Sequence, residues 1–341
     1  MATATTTTAA ARAVSRTDAA AASAPAKRKK ASSLSDSPPT DKDQWSSAEA
    51  AVSSTPEPIR HVPPPWRLHG DVYCISFWTS GASAQNLPDD VAFSPLEAGS
   101  EFAHPPGSRP VGGLGMIQLI RYRDSPVGPY DELLVVPGAY DWSRDGPDGR
   151  PEVGRNPRIS RIYVSQKYTC FNGRMNWNCP KHLAKFDWDF GPNHSVSVKV
   201  YPHDTTGDVT ESAPSTVPWF QASFTPMSYA PSFPFATRWV NYLGFDTTLV
   251  MPPLPQGKGS QGELPSTENW CSVVPKQYSR TTRVGWFDMS QRDEAGDVVG
   301  EHENFWPGLG RWQLGLKMEN AVLSFDFPKD IWPAPKSKAN L

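Results

Sequence analysis

Proline punctuates this chain so closely that a long helix has nowhere to run: 36 prolines and 25 glycines are spread over 341 residues. Proline removes a helical hydrogen bond and clashes with the preceding turn, and interior glycine costs chain entropy. The helical pieces the sequence offers are therefore short, such as 180–185. Between the breakers lie β-branched and aromatic runs at 72–78, 133–136, 159–164 and 196–200, each bounded by Gly, Pro, Asn or Asp, as strands are. Alternation is cleanest over Val196, Ser197, Val198, Lys199 and Val200. The predicted class is mostly β (α+β), with few short helices.

Two regions differ in composition. Residues 1–55 are rich in Ala, Thr, Ser and Pro, with no aromatic residue before Trp45. Such a stretch buries too little apolar surface to offset chain entropy, so it reads as a disordered tail. Lys27, Arg28, Lys29 and Lys30 form a basic cluster there, which is either a solvated charge run or a nuclear signal, and the composition also permits an organelle transit peptide. Folded sequence begins near Pro63, where Trp66, Tyr73, Phe77 and Trp78 arrive together, and residues 56–341 read as one domain. The glycine-rich stretch 257–262 lacks the flanking strand and helix of a phosphate cradle and reads as a surface loop.

A net charge of -2 gives no field to attract nucleic acid or an anionic membrane. Apolar runs fall short of the roughly 20 residues that span a bilayer, which points to a cytoplasmic protein. Cys74, Cys170, Cys179 and Cys271 are scattered and read as free thiols. Seven histidines form no HExxH, and the adjacent His302 and Glu303 cannot share one face, so neither a metal nor a cofactor is expected. GxSxG is missing, and Gly112, Gly113 and Gly115 lack the third spaced glycine of a dinucleotide fingerprint.

Lys181 remains. It follows Cys179 and Pro180 and lies among Phe171, Trp177, Leu183, Phe186 and Trp188, an apolar setting in sequence. An ordinary lysine is neutral in roughly one molecule in 2,500 at pH 7. Burial, aided by a nearby cation, raises that fraction, and His182, Lys185 and Arg174 are the cations at hand. The alternative is a surface lysine whose stem covers aromatic residues.

The segment Gly173-Arg174-x-x-Trp177-x-x-Pro180-Lys181-x-Leu183 resembles the signature around the reactive lysine of acetoacetate decarboxylases. Upstream, Gly128-Pro129-Tyr130-Asp131-Glu132 is similar to the family's Tyr-x-Glu element, and residues 66–73 to its first strand. The similarity runs over about residues 61–190. It implies curved antiparallel sheets in a closed barrel or cone around a central pocket, a reactive Lys181, and Glu132 to position substrate or relay a proton. Arg174, His182, Gln118, Trp177 and Tyr130 are then expected around the pocket, with Arg174 structural or electrostatic. No cofactor is implied, and oligomers are common in the family.

Three positions depart from the pattern. His182 replaces the family's second lysine, Gln118 stands for a second glutamate, and Asp71 stands where an arginine grips a carboxylate. These changes point to a larger, less charged carbonyl compound than acetoacetate. The expectation is a Schiff-base lyase decarboxylating a β-keto acid or related compound, with a Schiff-base aldolase or dehydratase, or a non-catalytic ligand-binding protein, as alternatives. Stretches 145–156 and 253–268 read as insertions remodelling the pocket mouth.

Overall fold

The computed structural model describes residues 57–334, except 147, 149, 205–210, 212, 294, 301–305 and 307. The tail assigned to residues 1–55, its basic cluster and the His302–Glu303 pair lie outside the described residues.

Strands dominate. In chain order come β1 (Trp66–Thr79), three short helices α1 (Gly81–Gln85), α2 (Asp89–Ala92) and α3 (Pro95–Ala98), then β2 (Arg109–Asp124), β3 (Tyr130–Val136), β4 (Ala139–Asp145), β5 (Pro151–Pro157) and β6 (Arg161–Val164). The helix α4 (Lys167–Trp177) leads to β7 (Lys181–Phe190), β8 (Val196–Pro202) and β9 (Phe220–Pro226). Then follow β10 (Phe233–Ala236), β11 (Leu249–Met251), β12 (Asn269–Val273) and β13 (Lys276–Asp288). The last strands are β14 (Gln291–Arg292), β15 (Val298–Gly300), β16 (Trp312–Phe325) and β17 (Asp330–Pro333).

Nine strands close a ring in the order β1-β16-β13-β9-β8-β7-β6-β3-β2, with β2 returning to β1. All neighbours run antiparallel except β6 and β7, so the expected closed barrel is mixed. A parallel pair needs a crossover, and α4 supplies it. The expected helix at 180–185 is replaced by β7. The helix ends one turn earlier because Asn178 takes the left-handed conformation (φ 52), with its N–H bonded to the Arg174 carbonyl. Pro180 bars a new helix from continuing there, and Lys181, His182 and Leu183 pair with Ile162, Tyr163 and Val164.

Period-two alternation sorts the strands onto two faces. On one, Tyr73, Ile75, Ile117, Leu119, Leu133, Val135, Tyr163 and Ala184 join Val198, Val200, Phe220 and Phe224 in a single core. On the opposite face, Leu68, Val72, Ile120, Tyr122, Tyr130, Leu134, Ile162 and Leu183 form a second core with Trp177 of α4 and Met251 of β11. The candidate site residues Lys181 and Glu132 belong to this second face. Among the described residues, no helix is long and apolar enough to cross a membrane.

Candidate active site

A cavity of about 620 Å³ opens against the second face, within the size range of small-molecule sites. Lys181, Ile162, Leu134, Gln118, Cys74 and Leu316 hold paired positions on successive strands, and all six line it. Trp66 and Trp177 meet edge to face at 5.2 Å in the same lining. Trp78, Arg155 and Phe245, all exposed, mark the rim.

Lys181 is 5% exposed, and its Nζ lies 2.8 Å from Glu132 Oε2. Nζ also donates to Thr169 Oγ1 on α4 at 2.9 Å and sits 5.1 Å from the Tyr130 ring centre. The Tyr122 hydroxyl donates to Glu132 Oε1 at 3.2 Å, and the Tyr122 and Tyr130 rings lie 4.4 Å apart, tilted by 35°. Gly173 is what lets the lysine stem pass. A Cβ at that position would lie 2.6 Å from Lys181 Cδ and 2.7 Å from Cε.

Burial alone would depress the Lys181 ammonium, but the Glu132 carboxylate more than offsets it and holds Lys181 above the ordinary lysine value. The expected depression by a neighbouring cation does not occur, because none of the three cations faces the cavity. Lys185 is exposed and paired with Asp187 at 2.8 Å. His182 follows Lys181 on a strand and therefore points to the other face. There its Nε2 contacts Glu97 Oε2 at 2.5 Å, and its Nδ1 bonds Glu211. Burial opposes the imidazolium, yet Glu97 and Glu211 push its pKa from 6.5 up to about 10. Buried Glu97, in turn, is held at about 2 by His182 and Arg174.

Arg174 is fully buried below α4 and does not line the cavity. It donates to Glu97 Oε1 at 2.9 Å, to the carbonyls of Pro255 and Pro265, and to the Lys181 carbonyl at 3.3 Å. The stretch 253–268 thus anchors Arg174 and contributes no cavity wall, contrary to the expectation of a remodelled mouth. The other stretch forms the β4–β5 hairpin, whose Arg155 and Pro157 do reach the rim. Asp71 likewise lies off the cavity, bonded to Arg123 and to the Asn320 N–H, so it cannot repel a substrate there.

The predicted residues Lys181, Glu132, Tyr130, Trp177 and Gln118 therefore share one cavity, whereas Arg174 and His182 support it from outside. Sequence reasoning missed Thr169, Tyr122 and Gln277. Tyr122 was within reach of it, since Gln118, Ile120 and Tyr122 alternate on one face of β2. Thr169 and Gln277 come from segments with no local signal. The one group of donors suited to a metal among the described residues is His182, Asp204 and Glu211, within 4.8 Å of one another. His182 already bridges Glu97 and Glu211 as an imidazolium, and the Tyr163 hydroxyl donates to Asp204, so this cluster is balanced by its own residues.

No family model matches the sequence, and no curated protein does. Among solved structures, an acetoacetate decarboxylase from Legionella pneumophila aligns with 85% of this chain and 93% of its own at TM-score 0.47 and 12% identity. The chain is similar in structure to acetoacetate decarboxylases. A second acetoacetate decarboxylase structure covers 80% of this chain and 91% of its own, at TM-score 0.45 and 11% identity. The enduracididine biosynthesis enzyme MppR, complexed with the condensation product of pyruvate and imidazole 4-carboxaldehyde, covers 80% and 90% at TM-score 0.37 and 15% identity.

Proposed function

We propose that this protein is a Schiff-base-forming lyase that decarboxylates a β-keto acid or a related carbonyl compound through Lys181. The observation that carries this reading is the buried Lys181–Glu132 pair in a mostly apolar cavity. Glu132 is the near acceptor for the ammonium proton. A substrate whose apolar body fills the cavity excludes water and disfavours the separated charges, which drives that proton to Glu132 and frees the amine.

The neutral Nζ then attacks the carbonyl carbon. Protonated Glu132 returns the proton to the carbinolamine oxygen, water departs, and an iminium forms. The bond to the adjacent carboxylate breaks, its electron pair moves toward the iminium nitrogen, and carbon dioxide leaves. The resulting enamine takes up a proton at carbon, and water hydrolyses the imine to regenerate Lys181. The Tyr122 hydroxyl supports the Glu132 carboxylate whenever that group is charged.

One observation favours aldol-type cleavage as a second reading. Of the cations lining the cavity, Arg155 lies at the rim, paired with Asp141 at 2.7 Å, and Lys181 is the nucleophile. Among the described residues no further arginine lines the cavity to grip a leaving carboxylate, whereas a retro-aldol substrate needs none.

Incubation with β-keto acids and β-hydroxy ketones, reduction with borohydride and peptide mass analysis test the proposal. The expected result is a reduced adduct on Lys181 that is lost in Lys181→Ala. An equal adduct yield in that variant would overturn the reading.

A further inference from the structure

Gln118 and Gln277 are 6% and 7% exposed, and both line the cavity among Leu134, Met116 and Leu316. Gln277 Nε2 donates to Gln118 Oε1 at 3.0 Å. The remaining polar atoms of the pair are poorly served. Among the described residues, Gln118 Nε2 reaches only sulfur, Cys74 Sγ at 3.8 Å and Met116 Sδ at 3.4 Å, which are weak acceptors. Gln277 Oε1 is buried and has no hydrogen-bond partner among the described residues. A buried acceptor left bare is costly, and an apolar wall gains nothing from two amides unless something pairs with them.

We propose that the Gln118–Gln277 pair is a subsite for a hydroxyl group, selecting a carbonyl substrate that carries that hydroxyl at the far end of an apolar body. A hydroxyl is the group that both donates and accepts, so it can give its proton to Gln277 Oε1 and take one from Gln118 Nε2. A carboxylate would meet the bare Gln277 oxygen with no cation beside it. Lys181 and Gln118 sit at paired positions three strands apart, about 14 Å along the sheet. After the two side chains take their share, a ring with a short chain spans the rest. This inference rests on the imine reading, since Lys181 fixes the carbonyl end.

The test compares a phenylbutanone with its para-hydroxy counterpart, two ketones that differ by one oxygen. Binding is measured by calorimetry on the full chain, without reduction, in wild type and in Lys181→Ala, Gln118→Met and Gln277→Met. The hydroxylated ketone is expected to bind wild type roughly tenfold tighter, and the two ketones to bind alike in both glutamine variants. Equal affinities in wild type overturn the subsite, as does a preference surviving in both glutamine variants or no binding of the hydroxylated ketone. A preference without any borohydride adduct on Lys181 would instead sink the imine reading and leave the subsite standing.

Discussion

Replacing Glu132 by glutamine separates two effects that the ion pair combines. The carboxylate raises Lys181 against the pull of burial, so without it burial acts unopposed and the lysine becomes neutral at lower pH. Labelling of Lys181 by a small acylating reagent near pH 7 should therefore rise in Glu132→Gln. Turnover should fall by about 10²–10⁴, the usual worth of a positioned acid or base. Labelling rates against pH, read by peptide mass, check the first half, and a slower reaction at Lys181 would contradict it. Lys181 and Glu132 were legible in the sequence because each sits in a compact, residue-specific segment. Which way their neighbours point was not. Lys181 and His182 face opposite sides only if the segment is a strand, and the prolines and short apolar runs around it suggested a turn or helix.

Between elements, the close passage of α4 over β7 governs the site. Its helix is hard to see in sequence because Thr169, Cys170, Asn172 and Gly173 are weak helix formers. Capping by the Gln166 side chain and burial of Thr169, Arg174 and Trp177 decide the matter instead. Gly173→Ala improves helix propensity by about 1 kcal/mol, yet the added Cβ pushes against the Lys181 stem. Stability should move little while the amine is displaced from Glu132, and a misplacement of about 1 Å costs on the order of 10²-fold in rate. Paired measurement of thermal midpoint and kcat checks this, and an unchanged kcat would show that the lysine has room to yield. Gln277 illustrates another limit of sequence reading. It meets Gln118 from 159 residues away, a pairing that only barrel closure creates.

Across the whole molecule, the buried network of Glu97, His182, Arg174, Glu211 and Asp204 ties α3, α4 and β7 to the loops around them. His182 is raised from 6.5 to about 10. Its contribution to stability is full below pH 6.5 and is lost as pH climbs through 10. Buried Asp131 is pushed from 3.8 up to about 6 and has finished its own loss below that window. Denaturant midpoints should thus fall steadily from pH 6.5 to 10, and the slope should flatten in His182→Gln at whatever stability that variant retains. A wild-type midpoint that is level across this range would rule out the network as the cause.

Strand alternation at Lys181 and His182 has a final consequence for how this chain can vary. Insertion or deletion of a single residue in the Asn178-Cys179-Pro180 connector that slips β7 by one position against β6 would turn the imidazolium into the cavity and the amine out of it. On the proposed imine chemistry, the connector's length therefore counts as much as its residues. Homologous chains that keep the lysine should tolerate substitutions there far more readily than indels.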